Sequence, residues 1–257
     1  MIIFICLIII VIICHILLDH FYSTTEIFNK YECYIFSFLI STSFASLNLT
    51  LIGITFYNAL YFLTAIMLLV LARKMGVRGK PLKKDFSRQR NTTEKSQIVA
   101  LAYLIGFFFF LILFSISMGI YAKPEFSIWA FKGKLLYYFP ESPVDHILNS
   151  NYTFSHQSYP LYLPSIIGWA YKIFGANTVL IKALPPFFSI ILCVLFYNEI
   201  KRINLSKNFA ILLTIIMCNS IVFISCSYTI YADIIFSVFV FSGYTFLLRY
   251  LEDQTAK

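Results

Sequence analysis

The chain has 257 residues, 60% of them hydrophobic and only 12% charged, with a mean hydropathy of +0.80. So apolar a chain cannot cover itself with polar side chains; the figures exclude a water-soluble domain and predict an all-α, polytopic membrane protein. The formal charge of +8 does not point to nucleic acid, because no aromatic-basic module accompanies it.

A membrane span needs about 20 apolar residues. The first run, Met1 to Leu18, has neither a basic leader nor a small-residue cleavage site, and is expected to be a retained span. Tyr34 to Ala72 is too long for one helix and predicts two, with a break near Asn48 to Gly53. These runs make an N-terminal three-span unit, residues 1–72. A basic loop follows over residues 73–97, holding nine of the twenty Lys and Arg residues. The remainder, residues 98–257, forms a second membrane unit.

Ile98 to Met118 is the fourth expected span. A large polar loop, residues 120–160, comes next. Leu161 to Phe174 is apolar but short, holds Pro164 and Gly168, and stops at Gly175-Ala176-Asn177. It predicts an interfacial or half-buried helix, with a short span as the alternative. Leu184 to Tyr197, starting near Val179, is the fifth span, and Pro185-Pro186 are expected to kink its early turns. Phe209 to Cys226 and Ile230 to Leu248 bring the expected total to seven.

Placing the basic loop in the cytoplasm puts fifteen of the twenty basic residues inside. The positive-inside rule therefore predicts an integral protein of the cell (cytoplasmic or inner) membrane, N-terminus outside and C-terminus in the cytoplasm. The loop of residues 120–160 then lies outside. The six cysteines fall in or beside apolar runs with no C-x-x-C spacing. They read as small packing residues, with no disulfide framework and no zinc site.

Ionisable groups close to a membrane are costly and become functional candidates. Pro124 suits the first turn of a helix. On that helix Glu125, Trp129 and Lys132 stand at i, i+4 and i+7, one shared face. A carboxylate beside an indole and an ammonium suits a general base acting on a hydroxyl; a carboxylate complementing the helix dipole explains Glu125 equally. Lys132 and Lys134 suit a phosphate ligand, or snorkelling at a helix edge. His156 and Tyr159 precede the proline-bounded helix. Asp233 opens the last span, facing either a cleft or its own helix N-terminus. Asp145-His146 suggests metal only weakly, since no third ligand is evident.

Taken in order, these pieces resemble a family. The span Ile98 to Met118 is followed by Glu125 and by Ser127-Ile128-Trp129-Ala130-Phe131-Lys132-Gly133-Lys134. Next come His156-Gln157-Ser158-Tyr159-Pro160, Tyr171-Lys172-Ile173-Phe174-Gly175, Lys182-Ala183-Leu184-Pro185 and Tyr231-Ala232-Asp233. Over about residues 98–250 the chain resembles the N-terminal part of GT-C fold membrane glycosyltransferases. The likeness is to glycosyltransferase family 39 and the aminoarabinose-transferase-like (dolichyl-phosphate-mannose-protein mannosyltransferase-like) proteins. Two departures stand out. The family usually carries an Asp, often Asp-Glu or Asp-Asp, where this chain has Glu125 after Pro124. Relatives are also longer, with more spans.

The resemblance implies a GT-C-like bundle that moves a sugar from a polyprenyl-phosphate donor to a lipid, glycan or protein acceptor. Transfer would invert the anomeric centre on the extracytoplasmic side. Glu125 would be the base; Trp129, Lys132, Lys134, His156, Tyr159 and Asp233 would bind substrate. The lipid-phosphate-linked sugar is the donor, and a divalent cation stays open as its companion. The bilayer and either a complementing membrane subunit or a further C-terminal part are the expected partners, and nucleic acid is not. Two alternatives stay open: a transporter or flippase for lipid-linked glycans, and a non-catalytic or truncated membrane subunit.

Overall fold

The computed structural model describes Glu32, Ile35, Phe36, Phe38, Leu39, Ile40, Thr42, Ser43 and Ser46, then residues 92–139, 142–203 and 206–255. The expected span of residues 1–18, most of the pair within 34–72, the break at 48–53 and the basic segment before Thr92 lie outside the described residues. Those described between 32 and 46 are helical. Among the described residues the regular structure is helical throughout, the all-α membrane architecture that composition predicts.

Helix α1 runs Thr92–Met118. It starts inside the stretch expected as loop, because the polar residues before Ile98 continue the helix without a break. Gly119, at φ +62°, ends it in the left-handed conformation that glycine adopts at little cost. A π-helical turn, Glu125–Trp129, leads into α2, Ala130–Tyr138. Then come α3, Pro143–Ile147, and a 3₁₀ turn, Ser150–Ser155.

Helix α4, Tyr162–Phe174, is amphipathic. Leu163, Ile166, Ile167 and Tyr171 are buried at helical spacing, while Phe174 is exposed. Its 13 residues rise about 20 Å, short of the roughly 30 Å hydrocarbon core. That matches the interfacial reading over the short-span alternative. Gly175, at φ +76°, stops it, and the Asn177 side chain caps α5, Thr178–Ile181.

Helix α6 spans Leu184–Arg202. Contrary to the expected kink, the prolines do not interrupt a running helix; they occupy its first turn, where the missing N–H groups have no intrahelical partner anyway.

Helices α7, Lys207–Cys218, and α8, Ile221–Tyr228, correct a second expectation. The apolar run Phe209 to Cys226 is not one straight span, for the two helices meet at 66°. Ser220 accepts a hydrogen bond from Phe223 N at 3.3 Å and so starts a new helix. Asn219 Nδ2 donates to Ile215 O at 2.8 Å, and Tyr103 Oη donates to Asn219 Oδ1 at 2.8 Å. Those bonds occupy polar groups that lipid could not. Helix α9, Ala232–Thr255, closes the described chain.

Four of the seven expected spans fall on described residues, and each has a counterpart. Ser96–Met118, Thr178–Arg202 and Ala232–Arg249 are long and apolar enough to cross a membrane, and the bent α7–α8 pair passes as a fourth. The main core joins α4, α6, α8 and α9 with Phe36 and Leu39 from the N-terminal segment. Phe109 and Phe110 of α1 and Ile221 of α8 are exposed, as lipid-facing positions of a membrane protein are. Cys193, Cys218 and Cys226 are free thiols.

Candidate functional site: a buried carboxylate beside an aromatic stack

At one end of the bundle α1 ends, α6 begins, and the turn between α8 and α9 returns. Glu125 sits where they meet, fully buried. Its Oε1 accepts from Lys182 Nζ at 2.6 Å and from Ile230 N at 2.6 Å. Its Oε2 accepts from Tyr121 N at 3.0 Å and Ala122 N at 3.1 Å. Burying a carboxylate is costly unless its oxygens are matched by donors in this way.

Lys182 is also fully buried. It donates to Tyr228 O at 2.7 Å, and its Nζ lies 5.3 Å from the centre of the Tyr121 ring. Ser115 Oγ of α1 is within hydrogen-bond reach of both Lys182 O and Tyr228 O. Tyr121 stacks on Tyr228, centroids 6.4 Å apart. Burial, the Tyr228 bond and the charge of Glu125 together push the Tyr121 phenol above its ordinary pKa.

The second cluster lies on the far side of the π-helical turn. Trp129, at its end, is buried and stacks on Tyr159 with centroids 5.7 Å apart. Tyr159 stacks in turn on His156, at 5.0 Å. His156 is exposed with φ +50°, and Tyr159 is 42% exposed, so the stack runs from the core to the surface. Beneath it Lys132 is fully buried. Its Nζ donates to His156 O at 2.7 Å and Tyr159 O at 3.5 Å. Among the described residues no carboxylate lies within ion-pair reach of it. Burial pushes its ammonium down to about 8.

The expected single face of Glu125, Trp129 and Lys132 is not what forms. A π-helical turn bonds i to i+5 and shifts the register of an α-helix. Each of the three then finds its own partner: Glu125 meets Lys182, Trp129 meets Tyr159, and Lys132 holds the His156 loop. Lys134 is exposed on α2. Asp233 is exposed in the first turn of α9. Its charge and that of Glu125 both raise the Tyr231 phenol, after burial, so it belongs to the Glu125 end of the bundle. His146 stacks on Phe139 at 3.9 Å; among the described residues no three His, Cys, Asp or Glu side chains gather to hold a metal.

Lys182, Tyr121, Tyr228 and the amide of Ile230 were not singled out from the sequence as site residues. One signal was there: a lysine inside the apolar stretch Val179 to Phe188 is costly unless paired.

Residues 135–257 match the family model for dolichyl-phosphate-mannose-protein mannosyltransferase. The match takes in His156, Tyr159, Lys182, Tyr228 and Asp233, and begins after Glu125, Trp129, Lys132 and Lys134. No curated protein and no solved structure matches the chain. From Leu135 onward, then, this all-α membrane chain is similar to a family of glycosyltransferases, the transferase class that its sequence motifs led one to expect.

Proposed function

We propose that the chain transfers a sugar from a polyprenyl-phosphate donor to a hydroxyl acceptor at the extracytoplasmic membrane surface. The observation that carries the reading is Lys132. It is an ammonium buried with no carboxylate beside it among the described residues, under an aromatic stack that reaches the surface. Such a centre favours an anion, and a lipid phosphate at the interface supplies one. His156 adds a donor at the exposed rim, and the rings of Tyr159 and Trp129 offer a face for the sugar.

In the reaction the acceptor oxygen bonds to the anomeric carbon as the bond from that carbon to the phosphate oxygen breaks. The electron pair leaves on the phosphate, where Lys132 stabilises the charge that develops. The acceptor proton goes to a carboxylate, and attack from the opposite face inverts the centre. Glu125 is the base in this proposal. Oε1 is anchored by its two bonds at 2.6 Å. Oε2, held only by the longer bonds from Tyr121 and Ala122, is the oxygen a movement of that loop would free. Asp233 contacts the acceptor at the same end.

The closure of Glu125 also favours a second reading, a non-catalytic membrane subunit in which the carboxylate only ties three elements together. One assay separates the two. The protein and Glu125→Gln are reconstituted in liposomes with labelled polyprenyl-phosphate mannose and candidate acceptors. Loss of transfer by a variant that still inserts supports the base. Transfer unchanged in Glu125→Gln sinks that assignment, and movement of labelled lipid between leaflets with no transfer indicates a flippase.

A further inference from the structure

At the end of the bundle away from Glu125, Arg249 of α9 is buried between two carboxylates. Nη1 and Nη2 reach Glu32 Oε2 and Oε1, both at 2.8 Å. Nε and Nη2 reach Glu199 Oε2 of α6 at 3.1 and 2.7 Å. Glu199 also pairs with Arg202, which pairs with Glu252. Glu32 and Arg249 are nearly inaccessible, at 1% and 4% exposure. Glu32 lies in the N-terminal segment, whereas Arg249 and Glu199 lie in the stretch similar to the glycosyltransferase family.

The N-terminal segment touches the same half at a second polar point. Thr42 Oγ1 is 2.8 Å from Tyr162 Oη, and Ser46 Oγ is 3.3 Å from Ser165 Oγ. Between the two ends the contacts are aromatic: Phe36 meets Phe246 edge-on at 6.3 Å, and Phe38 meets Phe187 at 5.6 Å. From Glu32 to Ser46 a helix rises about 21 Å. A slip of one turn, about 5.4 Å, would break the polar contacts at both ends and leave an unmatched carboxylate beside lipid. Buried ionic contacts that fix register in this manner act as selectors of a partner.

We propose that α4, α6 and α9 form a recognition surface for one kind of helix: acidic at the Arg249 end, hydroxyl-bearing at the α4 end. The N-terminal segment that carries Glu32, Thr42 and Ser46 is its occupant. The two units are held together by this surface, and the peptide link through the basic segment is dispensable once they have met. The proposal is independent of the transfer chemistry. It also means that the helix bearing the approach to the aromatic stack is braced by residues outside the family-like part.

The test uses the full chain with a protease site inserted between Lys84 and Asp85 and a tag at each end. After purification in mild detergent the link is cut, and the C-terminal tag is captured. In the wild type the N-terminal piece is expected to remain bound. Glu32→Gln leaves the sequence of residues 92–257 unchanged and Arg249 still paired with Glu199; it is expected to dissociate about a hundredfold faster. Glu32→Asp, which keeps the charge, is expected to hold, as is Glu252→Ala at the exposed end of the network. Separation of the wild-type pieces on cutting overturns the proposal. So does retention by Glu32→Gln equal to wild type, or shedding by Glu32→Asp as fast as by Glu32→Gln.

Discussion

Lys182 Nζ stands 2.6 Å from Glu125 Oε1, with both side chains fully buried. Fifty-seven residues separate them along the chain, yet each is the other's main charge partner. The pair fixes where the family-like half, which contains Lys182, meets the acidic turn that precedes it.

Removing one partner of such a pair strands a buried charge. Lys182→Met is therefore expected to lower stability by roughly 3–5 kcal/mol, and adding Glu125→Gln to it should restore part of the loss. Thermal unfolding of the purified variants in detergent measures both. Equal losses in the single and double variants would contradict the pairing.

Lys132 gives a pH dependence with a definite sign. Its folded pKa of about 8 is below the ordinary lysine value of 10.5, because burial disfavours the ammonium. Between those values the unfolded chain binds more protons than the folded one, so stability rises as pH climbs through that window. Lys132→Met should abolish this rise in a melting series. Phosphate binding runs the other way. The KM for the lipid phosphate donor is expected to increase above pH 8 as the ammonium is lost, and Lys132→Arg should flatten that increase.

Gly133 is tested by a single methyl group. A Cβ there would stand 2.3 Å from Ile167 Cγ2 and 2.8 Å from Ile167 Cβ, closer than packed atoms tolerate. Gly133→Ala should push α2 from α4 and destabilise the protein by about 1–3 kcal/mol. The pairing of Gly133→Ala with Ile167→Ala should recover some of this, a melting-temperature comparison that isolates the contact.

Tyr159→Ala removes the middle ring of the stack. The expected stability loss is about 0.5–1.5 kcal/mol from aromatic contact alone. In transfer assays the donor KM should rise more than kcat falls, since the ring is proposed to bind sugar and not to move protons.

Some of this was legible in the sequence. The all-α membrane class follows from composition, and the interfacial helix follows from the short amphipathic run ending at Gly175. The motif order from Glu125 to Asp233 pointed to the transferase class. What escaped was pairing. An α-helical register put Glu125 on a face with Trp129 and Lys132, but the π-helical turn Glu125–Trp129 breaks that register, and local spacing carries no trace of it. The true partner, Lys182, is reached only through tertiary packing of α6 against the end of α1. The bend at Asn219–Ser220 escaped for a related reason. Hydrophobicity runs on to either side of it, and while two of its side-chain bonds are local, the third comes from Tyr103, more than a hundred residues earlier.

The bond from Ile230 N to Glu125 Oε1 spans 105 residues, and this dictates a timetable. At ribosomal rates of about 5–20 residues per second, the acid is made roughly 5–20 s before that amide exists. Lys182 comes midway. Through this interval the carboxylate cannot enter the hydrocarbon alone and must wait in water at the membrane surface. Closing the site therefore waits until α8 has turned back and Ile230 has been made, and nascent chains halted before Ile230 would carry Glu125 still open to solvent.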